Sequence, residues 1–435
     1  MSETDEGPSE SPVPFRTPLI NALLGSDVTD DDDEDDEIIL STENSEIFSS
    51  EYEEPRSSSS SSQTEIATGT LNSAIRCDRY EVVKLLLRTG ANVNKPDDHF
   101  GITPLMQACR CNKPSILQLL LENGAQVNVR QNNHGTTALY WAVKKGNIEN
   151  VKLLLDHGAQ VRLPRTVHNR NMNLLHVAVK SGKVDILNLL CQHGGDVNEH
   201  HDAFGETPLF HAVRANDFEM VERLLVLGSS VNTFSYDLAT PLHLAAGNVH
   251  RNIDILQLLL DNGALVNSKD HRGYIPFVMC LNTCSFLHKP ATLSICECLV
   301  RHGSLVNDEH SHQALQWQAS HSACFSLLKL CVAAGLDLYK GNWASLISRN
   351  TTASSTGETE QDESEQDENR MSATERQEFE TFILYNLRNP HILSDCCRVA
   401  IRTYLTGIYQ GASIYYHIQK LPLPESIILF LLLEE

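Results

Sequence analysis

The 435-residue chain is 41% apolar and carries a formal net charge of −22, but that charge is uneven. Residues 1–66 hold 19 acidic and 2 basic side chains, residues 351–370 hold 7 and 1, and the remainder nets +1. A near-neutral remainder with no concentrated basic run argues against a nucleic-acid partner. No apolar run approaches the roughly 18–20 residues that span a bilayer, so no membrane partner is expected. The acidic start lacks the apolar core of a secretory signal. The twelve cysteines are therefore expected to be reduced, in the cytoplasm or also the nucleus.

Residues 1–66 read as a disordered acidic tail. They contain the acidic run Asp30–Glu37 and the serine run Ser57–Ser62, and too little apolar surface to offset the entropy of ordering.

From residue 67 a repeat begins. One unit runs Gly101-Ile-Thr-Pro-Leu-Met-Gln-Ala, then Ile116-Leu-Gln-Leu-Leu-Leu, then Asn123-Gly-Ala-Gln-Val-Asn128. Another runs Gly205-Glu-Thr-Pro-Leu-Phe-His-Ala, Met220-Val-Glu-Arg-Leu-Leu and Gly228-Ser-Ser-Val-Asn232. A third runs Ala239-Thr-Pro-Leu-His-Leu-Ala-Ala246, Ile255-Leu-Gln-Leu-Leu-Leu260 and Asn262-Gly-Ala-Leu-Val-Asn267. A glycine closes each unit at 90, 124, 158, 194, 228, 263, 303 and 335, with gaps of 34, 34, 36, 34, 35, 40 and 32. Threonine is suited to cap a first helix, and proline fits its first turn. The leucine triplet belongs to the buried side of a second helix, and the glycine takes the positive-φ position that ends it. One such unit cannot bury its own apolar face, so the units must stack.

These residues resemble the ankyrin repeat, whose usual period is about 33 residues. The resemblance covers residues 67–340 and implies an all-α solenoid of seven to eight helix-turn-helix repeats. The first unit, Thr70-Leu-Asn-Ser-Ala74, lacks Thr-Pro-Leu as an N-terminal cap would. The third reads Thr137-Ala138-Leu139, insertions fall near 163–172 and 280–290, and Ser311–Leu338 is the weakest unit. The resemblance also implies that the hairpin asparagines Asn94, Asn128, Asn198, Asn232 and Asn267 are of the kind hydroxylated in other ankyrin proteins.

Residues 341–371 read as an acidic linker or loop. Ser372-Ala-Thr-Glu375 is a capping-box pattern, opening a connecting helix over 372–388 that Pro390 closes.

The final stretch, 389–435, carries the sharpest signal. Leu393-Ser-Asp-Cys-Cys397-Arg-Val-Ala-Ile401 places apolar or small residues at i, i+4 and i+8, one stripe on a helix. Leu421-Pro422-Leu423-Pro424 imposes an extended entry, and Pro424 suits the start of a further helix. In this order and spacing the two elements resemble a SOCS box, a small C-terminal three-helix module. The whole chain is thus similar to the ankyrin repeat and SOCS box family. The resemblance implies that Leu393, Cys397 and Ile401 contact an elongin B–elongin C pair. It likewise implies that Leu421, Pro422, Leu423 and Pro424 contact cullin-5, which brings a RING protein. Phe430 stands where many relatives have tyrosine, and Ile392 where they often have Ser, Thr or Pro.

One position near the end of each first helix reads Arg76, Arg110, Lys144, Lys180 and Arg214, at intervals of 34, 34, 36 and 34, and Lys145 adds a further charge. Such a ladder suits an acidic or phosphorylated segment of a protein substrate, or the chain's own run Asp30–Glu37. A plain solvated row is the other reading. Tyr140 and Trp141 are candidates for an aromatic anchor or for helix packing.

No phosphate-binding loop, dinucleotide fingerprint or nucleophile elbow occurs. Glu199-His200-His201-Asp202 lacks the spacing of zinc sites. Cys109/Cys111 and Cys296/Cys298 read as helical packing cysteines. No catalytic residue, metal or cofactor is expected. The expectation is a non-catalytic substrate-recognition adaptor of an elongin–cullin-5 ubiquitin ligase. The alternative is an ankyrin scaffold whose C-terminal helices only cap the solenoid.

Overall fold

In a computed structural model, the residues described are 71–97, 100–131, 135–162, 173–200, 204–248, 252–283, 290–321, 325–338, 377–378, 381–382, 385, 393–408 and 413–433. The acidic tail and the 341–371 linker lie outside them, as do the capping box at 372–375 and most of the connecting helix. The described chain folds as helical hairpins. The first-helix row contains α1 (71–76), then α3 (Pro104–Arg110), α5 (Ala138–Lys144), α7 (Leu174–Lys180), α9 (Pro208–Arg214), α11 (Pro241–Gly247), α13 (Pro276–Thr283) and α15 (Glu309–His321). The second-helix row contains α2 (Tyr80–Arg88), α4 (Pro114–Glu122), α6 (Ile148–Asp156), α8 (Val184–Gln192), α10 (Phe218–Val226), α12 (Ile253–Asp261), α14 (Pro290–Arg301) and α16 (Phe325–Ala333). Within each row, from α2 and α3 onward, every helix packs on the next, giving a two-layer solenoid.

A first helix of about seven residues is too short to be stable alone, so burial must hold it. In α3 every residue from Pro104 to Cys109 is buried. The second helices are two-sided, with Ile116, Leu117, Leu119, Leu120 and Leu121 of α4 inside. Thr103 and Thr137 accept bonds from Met106 and Tyr140 backbone N–H groups at 3.3 Å, the caps expected of them. Thr240 is capped differently, its N–H donating to His243 Nδ1 at 3.1 Å. The closing glycines all have positive φ, from +81° to +110°. The weak last unit is a hairpin of the same kind, with the Gln318 amide donating to Leu281 O of the unit before.

A side-chain bracket ties each hairpin to the next. Asn94 donates through Nδ2 to Gly124 O and accepts through Oδ1 from the Gln126 N–H. Asn128 does the same to Gly158 and Gln160, Asn198 to Gly228 and Ser230, Asn232 to Gly263 and Leu265, and Asn267 to Gly303 and Leu305. Asn307, absent from the asparagines singled out by sequence, brackets Gly335 and Asp337. The amide is the smallest side chain that offers a donor and an acceptor on one planar group. At one seam Arg162 stands in this position and instead makes an ion pair with Asp196 Oδ2 at 2.7 Å.

Buried histidines add a second tie. His176 Nε2 bonds Glu206 O, and His243 Nε2 bonds Tyr274 O, each at 3.0 Å and each reaching the following hairpin. Burial pushes the His243 pKa down, which keeps its Nδ1 an acceptor for Thr240.

Asn232→Ala removes two hydrogen bonds across one seam, at about 0.5–1.5 kcal/mol each. Urea unfolding should show a loss of about 1–3 kcal/mol, whereas Arg162→Ala should cost less than about 1 kcal/mol, as exposed ion pairs do.

Candidate functional site

The candidate residues fall in two regions: the row of cations at the ends of the first helices, and the C-terminal helices. Arg110, Lys144, Lys180 and Arg214 are the last residues of α3, α5, α7 and α9, where a positive charge also complements the helix dipole. Arg76 ends the described part of α1, and its guanidinium donates to Ser73 Oγ at 3.2 Å. Lys145 is the residue that caps α5. Trp141 is buried, with the Arg110 guanidinium 5.0 Å and the Lys144 ammonium 5.5 Å from its ring. Cations over an aromatic face are attracted by its quadrupole, so Trp141 joins two rungs of the ladder. Tyr140 meets it edge-on at 5.6 Å. Trp141 therefore packs; it is not the exposed anchor that one reading allowed. Arg214 is engaged as well, its Nη2 lying 2.5 Å from Oε1 of the buried Glu206.

The row stops after α9. The equivalent position in the next hairpin is Gly247, and the neighbouring Asn248 amide donates instead to Val213 O at 2.9 Å. The acidic-histidine run lies beside this region. Glu199 Oε2 accepts from the Asn173 amide at 2.6 Å and His200 Nδ1 bonds Gly205 O at 2.7 Å, while His201 and Asp202 lie outside the described residues. Among the described residues no group of three or more His, Cys, Asp or Glu could hold a metal ion.

At the C-terminus, α17 (Leu393–Ile408), α18 (Tyr415–Gln419) and α19 (Glu425–Leu432) form a small module. Leu405, Ile414, Ile418, Leu431 and Leu432 make its core, with Tyr415, Ile428 and Phe430 packed against them. Leu393, Cys397 and Ile401 all fall on α17, at the predicted four-residue spacing. The side chains of Leu393 and Cys397 lie outside the described residues. Ile401 is exposed, and so are Tyr404 (68%) and Ile408, which continue the same face of the helix. Arg402 and Leu405 turn inward.

Leu421 is half-buried and Pro422, Leu423 and Pro424 are exposed. They form the connection between α18 and α19, with the Leu423 N–H donating to Leu421 O at 2.8 Å. Pro424 does not begin α19, as the sequence suggested. It stands one residue before, in an extended conformation with ψ 144°, and its carbonyl accepts from Ile427 and Ile428. The Arg398 guanidinium lies 4.6 Å from the Phe430 ring.

This module is anchored to the solenoid. Arg402, only 4% exposed, donates to Val300 O at 2.7 Å and Arg301 O at 3.2 Å, at the C-terminus of α14, and to Leu431 O at 2.6 Å in α19. Carbonyls at a helix C-terminus carry partial negative charge, which compensates the buried cation. Burial, aided by Arg398, pulls the Arg402 pKa down to about 10, so the group remains charged at neutral pH. Beside it His302 stacks on Tyr415, with ring centroids 4.7 Å apart, and its Nδ1 bonds Ser413 Oγ at 2.5 Å. The Ile414 N–H donates to His302 O at 3.0 Å, and Gln257 of α12 donates to the Tyr416 hydroxyl at 2.6 Å. A Cβ at Gly303 would lie 2.7 Å from Ile414, and one at Gly335 2.8 Å from Val399. Two closing glycines thus also admit the C-terminal module.

The family profile for ankyrin repeats, in three copies, matches residues 71–165 and 175–270. These two stretches are ankyrin repeats. An ankyrin repeat protein of fowlpox virus (strain NVSL), FPV034, is 35% identical over 100 residues, which is 22% of this chain and 23% of the viral one. The match therefore spans less than a quarter of that relative. Among solved structures, the human ASB11 ankyrin repeat domain is 29% identical, with 52% of this chain and 95% of that one covered at a TM-score of 0.45. The ankyrin repeat domain of Bcl-3 is 28% identical, with 48% and 91% covered at 0.42.

The sequence reading missed two features. The joint on Arg402 was hidden because a lone arginine in an amphipathic helix reads as a solvated residue. The exposed side chains Phe204, Phe234, Tyr236 and Leu238, on the tips of two successive ankyrin hairpins, were hidden because tips follow no fixed pattern. Leu238 also sits at φ +57° where the other described tips place Gly101, Gly135, Gly205 and Gly273, a conformation costing a non-glycine residue roughly 1–2 kcal/mol.

Burial and the adjacent Arg402 charge push the His302 pKa down to about 4. The unfolded chain binds a proton near pH 6.5 that the folded one refuses, so stability should fall as pH drops from about 6.5 to 4. The depression corresponds to about 3 kcal/mol at full extent. Denaturant midpoints measured across this window should fall less steeply for His302→Gln than for the parent.

Proposed function

We propose that the chain is the non-catalytic substrate-recognition subunit of an elongin B–elongin C/cullin-5 RING ubiquitin ligase, holding a target protein on its ankyrin repeats. The observation that carries this reading is the outward face of α17. A helix that served only to seal a solenoid would bury its apolar residues, yet Ile401, Tyr404 and Ile408 are exposed beside the Leu393/Cys397 spacing. Exposed apolar rows of this kind mark docking surfaces. The Leu421–Pro424 connection also leaves Pro422, Leu423 and Pro424 at the surface, as a second contact would require. The mechanism is proximity: the target and the ubiquitin-charged partners share one assembly, and transfer becomes effectively intramolecular. The chemistry belongs to the other subunits.

The joint at Arg402, Gly303 and Gly335 supports a second reading, in which the module caps the seventh and eighth hairpins and has no ligase partner. Exposed terminal repeats do need a cap. The two roles are compatible, and the outward face of α17 separates them.

The test is capture of co-expressed elongin B–elongin C by the full chain. The parent should co-purify, and Leu393→Ala/Cys397→Ala should reduce recovery at least tenfold. Ile401→Asp, at an exposed position, should do likewise with an unchanged melting temperature. Pro422→Ala/Leu423→Ala should keep elongin and lose cullin-5. A parent chain that captures no elongin leaves the scaffold reading.

A further inference from the structure

We infer that the target is held as an extended acidic peptide segment of another protein, one large apolar residue of which seats on the tips of the fifth and sixth hairpins. The inference rests on the reading that the ankyrin repeats capture a protein, and it names the class of segment captured.

The tips supply the anchor. Tyr236 is 75% and Leu238 51% exposed, and Phe204 and Phe234 are exposed beside them. The tips are tied together, since the Tyr236 N–H donates to Phe204 O at 2.8 Å. The Tyr236 ring also lies so close to Gly205 that a Cβ there would approach it to 2.7 Å. The following tip joins through the His271 N–H, which donates to Asp237 O at 2.9 Å. The patch is therefore a fixed platform. Large aromatic side chains on a fixed platform are the usual centres of protein recognition.

Leu238 carries the argument further. Among the described residues, the other non-glycine residues at positive φ in the hairpins, Asp78, Asn112 and Asn216, are of the polar kind that tolerates it. Leu238 is branched and apolar, and half of its surface stays in solvent. Backbone strain held at so exposed an apolar residue is a mark of a functional position.

The charge of the occupant beyond the tips, where Asp237 is itself acidic, follows from the row of cations that leads away from the patch. Glu206, directly after Gly205, pairs with Arg214, the last rung of the row. From there Lys180, Lys144 and Arg110 lead away along successive first helices, with Lys145 beside them. Neighbouring rungs are about 10 Å apart, or about three residues of extended chain. A segment anchored at Tyr236 and Leu238 would bring carboxylates to Lys180 and Lys144 within about nine residues. Opposite charge along this path favours an acidic segment and disfavours a basic one.

The test is selection from a phage-displayed library of random twelve-residue peptides on the full chain, followed by affinity measurement with the best synthetic peptide. The expected sequences combine Phe, Trp, Tyr or Leu with two or more Asp or Glu on one side of it. Tyr236→Ala and Lys144→Glu/Lys180→Glu should each weaken binding at least tenfold. Leu238→Gly should weaken it at least fivefold with a melting temperature no lower than the parent's, because glycine accepts that backbone. Selection of no peptides, or of peptides without acidic residues, would overturn the inference. Affinities that these variants leave unchanged would do the same, as would a concentration-dependent dimer that Tyr236→Ala dissolves. Elongin capture by the same tip variants should match the parent, so loss of elongin binding and loss of peptide binding report on separate claims.

Discussion

The asparagine bracket is the interaction on which the rest of the structure depends. A seven-residue helix such as α3 has no stability of its own, and a single hairpin cannot cover its apolar faces. Stacking supplies the burial, but burial alone does not fix how far one hairpin slides or turns against the next. An amide that accepts from one backbone N–H and donates to a carbonyl two residues earlier does fix it, because both bonds are made in only one register. Repeating that bracket from Asn94 to Asn307 sets the spacing of everything mounted on the hairpins. The cationic row and the aromatic tips fall into line for this reason.

Much of the fold was legible in the sequence because the repeat forces the same solution again and again. Thr-Pro-Leu, the leucine triplets and the closing glycines each meet a backbone requirement, and the helices lie where those residues place them. Legibility failed where a residue's role depends on a partner distant in the chain. Arg402 meets Val300 across 102 positions, and no local pattern signals that. Trp141 showed the opposite difficulty: an aromatic residue in a short helix suits a surface or a core equally well, and only the neighbouring Arg110 and Lys144 decide. Leu238 breaks the local rule that glycine fits such a turn, and departures of that kind are where sequence patterns end and function begins.

The C-terminal module illustrates how a buried charge can be tolerated. An isolated guanidinium in a core would be costly, but Arg402 meets three carbonyls, two of them at a helix end whose dipole favours a cation. Because those carbonyls belong to α14 and α19, one side chain couples the solenoid to the last helix of the module. His302, stacked on Tyr415 and kept neutral by burial and by Arg402, closes the same joint. The module's outward face therefore holds a set direction relative to the cationic row.

Among the described residues, one seam lacks the asparagine, and this gives the array an uneven stiffness. At Arg162 the register depends on an ion pair with Asp196 whose side chains are 58% and 44% exposed, so salt and water compete for it. Every other bracketed seam is held by neutral amides that ions do not screen. Considered as a spring, the solenoid has a soft coil between its third and fourth turns. Bending under load would concentrate there, and the two stiffer segments would swing about it as units, with the cations of the first three hairpins on one arm and the aromatic tips on the other.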